Sequence, residues 1–468
     1  MRRRTTLVVV AVCAVLAGCG SRLTDEQRAA LAVPQGGGTA TEQGAVPEDG
    51  AVAGTDGTAG TAGQTGANNP QQANRQPNPP GSIAAACQGT GGATDAGVTA
   101  GEITIANISD ISGPVPGIFQ SAQQATKAFV EYFNATQGTV CGRKLKLVSF
   151  DSRTDSGGDQ QATSQACQQA FALVGSMSAF DQGGGPAAAG CGIPDLRAST
   201  VTAQRQRTPV SFGVASNVVN LVSSAGPDLV KASFPGGAGH AASLYLNADA
   251  SAQNARSMQK AAEARGIKFV YSQAIDITDV NYAPYVAKLK ETGAKIVYWI
   301  GSAQYAVRLQ QAMRQQGFTP EAFVTDPSAY DPQYVRQGGG AVDGTVVYTN
   351  GALFEEPNAQ VALYRQWLGR VAPGAAPSYF GMFAWAAARL FVQTAAKVGP
   401  QLTRKAMIDA IRNVHDFTAE GMVAPQDVGG KRTSACMALV RLKGGAWSRL
   451  APASGYSCGS LVDTGVGG

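Results

Sequence analysis

Two short runs concentrate hydroxyl side chains: Ser176-Met177-Ser178-Ala179-Phe180-Asp181 and Ala198-Ser199-Thr200-Val201-Thr202. A third stretch, SDISGPVPG from Ser109 to Gly117, carries Ser112 and leads to Phe119. Short hydroxyls, together with the N–H groups at the start of a helix, hold an anion without a charged partner. That is binding chemistry and breaks no bond. Ser and Thr also serve as plain turn and cap residues, so either use stays open for any single position. The runs taken together favour the binding use.

Bond-making chemistry finds little support. Nucleophilic catalysis needs a base beside an exposed nucleophile, yet the two histidines are poorly placed. His240 stands in the Gly-rich PGGAGH stretch and His415 among helix-end residues, with no GxSxG near either. The Gly runs at 183–185 and 338–340 lack the Lys-Ser/Thr ending of a phosphate loop and the spacing of a dinucleotide fingerprint, and read as loops. No carboxylate pair stands at an acid–base spacing. The sequence therefore predicts no enzyme, no cofactor and no metal.

The elements that position these runs alternate. Ile103 to Asn107 is a short apolar strand, Ala122 to Phe133 has apolar residues near helical spacing, and Lys144 to Phe150 alternates as a strand does. Gly158 to Ala170 reads as a helix and Phe171 to Gly175 as a buried strand, which puts the Ser176 run at a strand's carboxyl end. A second series begins with strand Ala241 to Leu246, helix Ala252 to Ala264 and strand Ile267 to Tyr271. Helix Tyr282 to Thr292, strand Lys295 to Gly301 and helix Gln304 to Gln315 follow. Alternation of this kind predicts parallel sheets with helices on both faces, and ligands bind beyond the carboxyl ends of such strands.

The order of a short strand, SGP, a helix ending in FNATQG, then CGRKLKLVSFDSRTD resembles the opening of type I periplasmic solute-binding proteins, the branched-chain amino-acid-binding family of ABC importers. DVNYAPYVAKLKETGAKIVYWIG is similar to that family's second-lobe pattern. The resemblance implies an α/β fold of two Rossmann-like lobes with parallel sheets, joined by three hinge crossings. It places lobe 1 at 87–214 and 350–430, and lobe 2 at 215–349 and 431–465. It also implies that Ser178, Ala179, Phe180, Asp181, Ser199, Thr200 and Thr202 face a ligand carboxylate, with Ser112 and Phe119 beside them. Lobe 2 should contribute Ser251, Ser302, Asp326 and Ser328. The chain departs from amino-acid binders at SAQN after the first lobe-2 strand, and the usual acidic residue falls near Pro327; unless Asp326 substitutes, the ligand lacks an amino group. Asp279 is expected as a helix cap, Gly344 to Thr349 as the return crossing, and Trp385 as core.

The amino terminus predicts export. Arg2 to Arg4 precede the apolar run Leu7 to Leu16, too short to span a membrane, and Leu16-Ala17-Gly18-Cys19 resembles a bacterial lipobox. Cleavage before Cys19 and its lipidation follow, an ordinary cleaved signal being the alternative. Losing residues 1–18 removes Arg2, Arg3 and Arg4, so 37 basic against 32 acidic residues becomes 34 against 32. That near-neutral balance argues against nucleic acid as a partner. Residues 19–86, mostly Gly, Ala, Thr, Gln, Asn and Pro, cannot bury enough apolar surface to order themselves and are expected to be a disordered tether of roughly 45 Å mean span. The expected whole is a monomeric lipoprotein on the outer side of the cell membrane, passing a small polar solute (an amino acid or related carboxylate or amide) to an ABC permease. A ligand sensor of the same fold is the alternative, and a hydrolase a more distant one.

Six cysteines remain once Cys13 and Cys19 are set aside, and an even number in an exported chain favours disulfides. Two histidines and no CxxC argue against zinc. The expected pairs are Cys87 with Cys141, Cys167 with Cys191 and Cys436 with Cys458, since each keeps its partners within one lobe; each contributes about 2–4 kcal/mol. Non-reducing peptide mapping should recover these three pairs, and a peptide joining Cys458 to any of the first four cysteines would overturn them.

Overall fold

The computed structural model describes residues 82–87 and 89–467. The expected signal segment 1–18, the lipidated Cys19 and the tether up to residue 81 lie outside the described residues. The tether ends earlier than residue 86, however. The Ile83 N–H donates to Gln137 Oε1 at 3.0 Å and Ala84 is fully buried in the core. Small side chains and the nearby Cys87–Cys141 disulfide let this segment dock. All three expected disulfides are formed.

Lobe 1 is a five-stranded parallel sheet in the order β2-β1-β3-β4-β5. Its strands are β1 Glu102–Ser109, β2 Lys144–Asp151, β3 Ala172–Val174, β4 Asp195–Ser199 and β5 Ser211–Ala215. Helices α1 Gln120–Tyr132, α2 Ser156–Gln169, α3 Gly185–Cys191 and α4 Ala203–Arg207 connect them. The inner strands β3 and β4 and the edge strand β5 are buried along their whole length, as strands covered by helices on both faces must be. At the centre, Asn107 of β1 donates to Thr126 Oγ1 of α1 at 3.0 Å and to the Val174 carbonyl of β3 at 3.1 Å, so a buried polar side chain ties three elements and leaves its own amide satisfied.

The chain leaves β5 at Ala215, thirteen residues past Thr202, and builds the second sheet. After β6 Leu221–Ser223 and α5 Ala225–Ser233 come β7 Ala241–Leu246, α6 Asp249–Ala264, β8 Phe269–Ile275, α7 Ala283–Glu291, β9 Ile296–Ile300, α8 Ala303–Gln315, β10 Ala322–Thr325, α9 Pro332–Gly338 and β11 Thr345–Thr349. Helices α10 Ala359–Val371, α11 Tyr379–Val398 and α12 Arg404–Ile411 return to lobe 1. The chain then crosses back to form the hairpin of β12 Cys436–Lys443 and β13 Ala446–Ala451, followed by β14 Ser457–Cys458 and β15 Leu461–Asp463. The order β8-β7-β9-β10-β11 is parallel and β12 and β13 add antiparallel at its edge.

Thr345–Thr349 is thus a full strand of lobe 2 and not the return crossing, which begins only at Asn350. Its run TVVYT is apolar enough to be buried between β10 and β12. Asp279 caps no helix either: its carboxylate accepts from the Asp276 N–H and the Tyr285 hydroxyl, while α7 begins at Ala283 with Pro284 in its first turn. Trp385 is core, edge-on to Phe129 at 5.0 Å and stacked near Tyr132 at 5.4 Å, which locks α11 onto α1.

The three passages between sheets run side by side. Val218 N–H donates to Thr433 Oγ1 at 2.9 Å, and Ala424 N–H to the Asn350 carbonyl at 2.7 Å.

Beneath the hydroxyl-bearing turns of lobe 1 lies a fully buried ionic cluster. Arg205 of α4 reaches Asp195 of β4 at 2.9 Å and Asp159 of α2 at 3.4 Å, and Arg197 of β4 stands 3.7 Å from Asp181 and 3.6 Å from Asp195. The Gly183-Gly184-Gly185 run exists for this contact: a Cβ on Gly184 would sit 2.1 Å from Thr163 Oγ1 and 2.5 Å from Asp159 Oδ2. Burial lifts the Asp159 carboxyl to about 6 despite Arg205 and Arg197. Burial also acts on Asp195, but Arg205, Arg197 and the Ser211 hydroxyl hold it below its ordinary value. Because the folded state binds the Asp159 proton more tightly than the unfolded chain, Asp159's contribution is fully present below 3.8 and is lost as pH rises through about 6. Urea unfolding of Asp159→Asn across that window should lose this falling component relative to the parent protein. Arg205→Ala, which strands buried carboxylates, should cost about 3–5 kcal/mol.

Candidate functional site

Loops at the carboxyl ends of the strands come together around the start of α11. From lobe 1, Phe119 precedes α1 and packs edge-on against Phe380 at 5.0 Å, while its N–H donates to the Asp110 carbonyl. Tyr379, the first residue of α11, donates to Asn350 Oδ1 at 2.6 Å. It also lies within range of the Asp326 charge from the end of β10, which helps to raise its phenol, burial being the larger cause. Tyr379, Phe380, Phe119 and Asp110 therefore form a chain of contacts from Asn350 to the strand ends of lobe 1, and α11 also packs against the Pro327–Ala329 turn that follows β10.

The lobe-1 hydroxyl loops are present where the sequence puts them, but their donors are spoken for. Asp151 accepts the N–H groups of Ile111 (3.0 Å) and Ser112 (3.2 Å) and the Ser112 hydroxyl (2.5 Å). Burial alone would raise the Asp151 carboxyl, but these donors with the Arg153 N–H bring it below 3.8. Asp110 accepts the Ala179 N–H at 2.7 Å, the Thr154 N–H at 2.9 Å and the Ser152 hydroxyl at 2.6 Å. Asp181 accepts the N–H groups of Val201 (2.8 Å) and Thr202 (3.0 Å) and the Thr202 hydroxyl (2.6 Å). Thr202 in turn caps α4. The Ser199 hydroxyl donates to the Ala215 carbonyl at 3.0 Å and the Thr200 hydroxyl to Gln206.

Asp181 is consequently a loop staple, fully buried and paired to Arg197. Ser178 differs: it is fully buried and its Oγ has no hydrogen-bond partner. Phe180, two residues on, is an exposed large apolar side chain.

In lobe 2, Asp326 accepts the Ser328 N–H at 2.8 Å and, more weakly, the Gly301 N–H at 3.4 Å. Burial raises its carboxyl above 3.8 despite these bonds, and no Lys, Arg or His side chain lies within ion-pair range among the described residues. Ser302 begins α8 with its hydroxyl making no capping bond, and the Ser328 hydroxyl points toward the Gly301 carbonyl at 3.5 Å. The structure thus brings Ser302, Asp326 and Ser328 together beside Gly301. Ser251 lies in a helix and not in a loop: only Asn247 and Ala248 separate β7 from α6, which starts at Asp249 and holds Ser251 in its first turn at the carboxyl end of β7.

Sequence reasoning missed Asp110, Asp151 and Tyr379. Asp110 and Asp151 were visible only as acidic residues ending strands; their partners lie 39 to 69 residues away. An enclosed apolar cavity of about 20 Å³ beside Tyr298 and Tyr348 lies within the lobe-2 core, is lined by none of these loops, and has no room for a solute.

A family model described as "Periplasmic binding protein" matches residues 102–446. A Leu/Ile/Val-binding protein homolog 1 of Brucella abortus is 26% identical over 145 residues, 30% of this chain and 38% of that protein, so the match spans well under half of the relative. Among solved structures, the branched-chain amino acid transporter substrate-binding protein LivJ of Streptococcus pneumoniae, in complex with isoleucine, superposes with a TM-score of 0.65 at 15% identity, over 75% of this chain and all of that one. A fatty acid ABC transporter substrate-binding protein of Thermomonospora curvata gives 0.65 at 17% identity, over 81% and 95%. With two parallel-sheet lobes joined by three crossings and a family match over most of its length, the chain belongs to the periplasmic binding protein family and has the type I fold of that family.

Proposed function

We propose that this protein is the solute receptor of an ABC importer, held on the outer face of the cell membrane by a lipid on Cys19 and working as a monomer. Lobe 1 spans 87–214 and 350–430 and lobe 2 spans 215–349 and 431–465. They close around a small polar solute of the amino-acid, carboxylate or amide class and present it to a membrane permease. The observation that carries this reading is the convergence of strand-end loops from two separate sheets on the start of α11, with side-by-side crossings behind them. Chain passages lying side by side are an arrangement that hinge closure uses. The printed names of the Brucella and Streptococcus relatives lend amino acids support as solutes, and the Thermomonospora name widens the range.

Ser178 and Asp326 are the two side chains best placed to meet the solute, one from each lobe. Removing a buried hydrogen bond to a charged group costs about 1.5–3 kcal/mol, or roughly tenfold or more in affinity. Mass spectrometry of the solute that co-purifies, followed by calorimetry with it, should show such losses in Ser178→Ala and Asp326→Ala. Unchanged affinity in both would remove the cleft assignment. Growth loss on one nutrient after gene deletion, with recovery of a permease in pull-down, should accompany it; a bound solute without either outcome favours sensing.

A further inference from the structure

The lobe-1 loops that would grip a solute carboxylate are already gripping carboxylates of this chain. Seven donors across three loops are engaged: the N–H groups of Ile111, Ser112, Ala179, Val201 and Thr202 and the hydroxyls of Ser112 and Thr202. They are taken by Asp151, Asp110 and Asp181. Of these, only Asp181 has a cation nearby, Arg197 at 3.7 Å; among the described residues no Lys, Arg or His side chain lies within 4.0 Å of Asp110 or Asp151. A second carboxylate arriving here finds its donors occupied and like charges behind them.

The opposite wall is acidic too. Asp326 follows β10 with no Lys, Arg or His side chain within ion-pair range among the described residues, and holds the Ser328 and Gly301 N–H groups. Beside the lobe-1 loops the partly exposed ring of Phe380 packs edge-on against the buried rings of Phe119 and Tyr379. Among the described residues, two buried polar atoms of the β3–α3 loop are left without a partner, Gln182 Oε1 and Ser178 Oγ, the latter adjacent to the N–H that holds Asp110. Aromatic faces and unpaired carboxylates favour positive charge, and a free hydroxyl accepts from an ammonium as readily as it donates.

We propose that the cleft takes a small cationic solute without a carboxylate, an amine or amidine, whose charge meets Asp326 and whose far end lies over Ser178. This rests on the receptor reading above and departs from the solute class given there.

Calorimetry on the full chain with matched probes tests it: isoamylamine, leucinamide, leucine and isocaproate on one skeleton, agmatine, argininamide and arginine on another. At least one probe lacking a carboxylate should bind, at least about tenfold tighter than the acid of the same skeleton, and Asp326→Asn should cost it about tenfold or more. Ser178→Ala should weaken the same probe, which guards against a misfolded Asp326 variant. An acid that binds as tightly as its amide or amine overturns the cationic class and leaves the receptor standing. So does an acidic or neutral solute found by mass spectrometry of the purified protein when no probe binds. If no probe binds, no solute co-purifies and X-ray scattering shows no compaction with any probe, the receptor reading falls as well.

Discussion

Five ionised side chains with no access to water hold the floor of the first lobe. Taking Asp159, Asp181, Asp195, Arg197 and Arg205 out of solvent is costly, and the cost is offset only while each keeps its partners. The five come from α2, the Ser176 loop, β4 and α4, so the position of every one of those elements is fixed relative to the others. Such a cluster is weak as a source of net stability and strong as a locator, since a shift of any element strands a buried charge. Asp181 carries that constraint upward. It faces Arg197 on one side and the N–H groups of Val201 and Thr202 on the other, so the turn after β4 is positioned by the cluster below it.

The same arrangement separates this chain from the simple picture of hydroxyl loops open to an anion. A loop rich in Ser and Thr offers donors only if the protein does not use them first. Here Asp110, Asp151 and Asp181 use most of them, leaving Ser178 with unspent hydrogen-bonding capacity. The rim is acid-backed, its loops tied to one another by these aspartates.

Much of the fold was legible because periodicity and punctuation are local. The strand Ala241–Leu246 and the helix through Trp385 follow from patterns within about twenty residues, and the sequential disulfides follow from keeping partners within a lobe. Boundaries slipped where a neighbour in space decided them. TVVYT looked like a connector but pairs with β10 and β12, and the latter lies some ninety residues downstream. Ser251 looked like a loop residue, yet two residues sufficed to turn the chain. The site was legible as a place but not as chemistry. Whether a Thr202 N–H is available depends on an aspartate twenty-one residues earlier, and no pattern in sequence states that distance.

The docking of Ile83 and Ala84 sets a direction. Gln137, which receives the Ile83 N–H, follows the far end of α1, and Cys141, bonded to Cys87, precedes β2; both lie at the amino-terminal edge of the lobe-1 sheet. The hydroxyl-bearing loops lie at the carboxyl-terminal edge. The docked segment therefore lies at the back of lobe 1. On the anchoring and closure proposed above, a pull from that side is borne by lobe 1 and lobe 2 is the arm that travels.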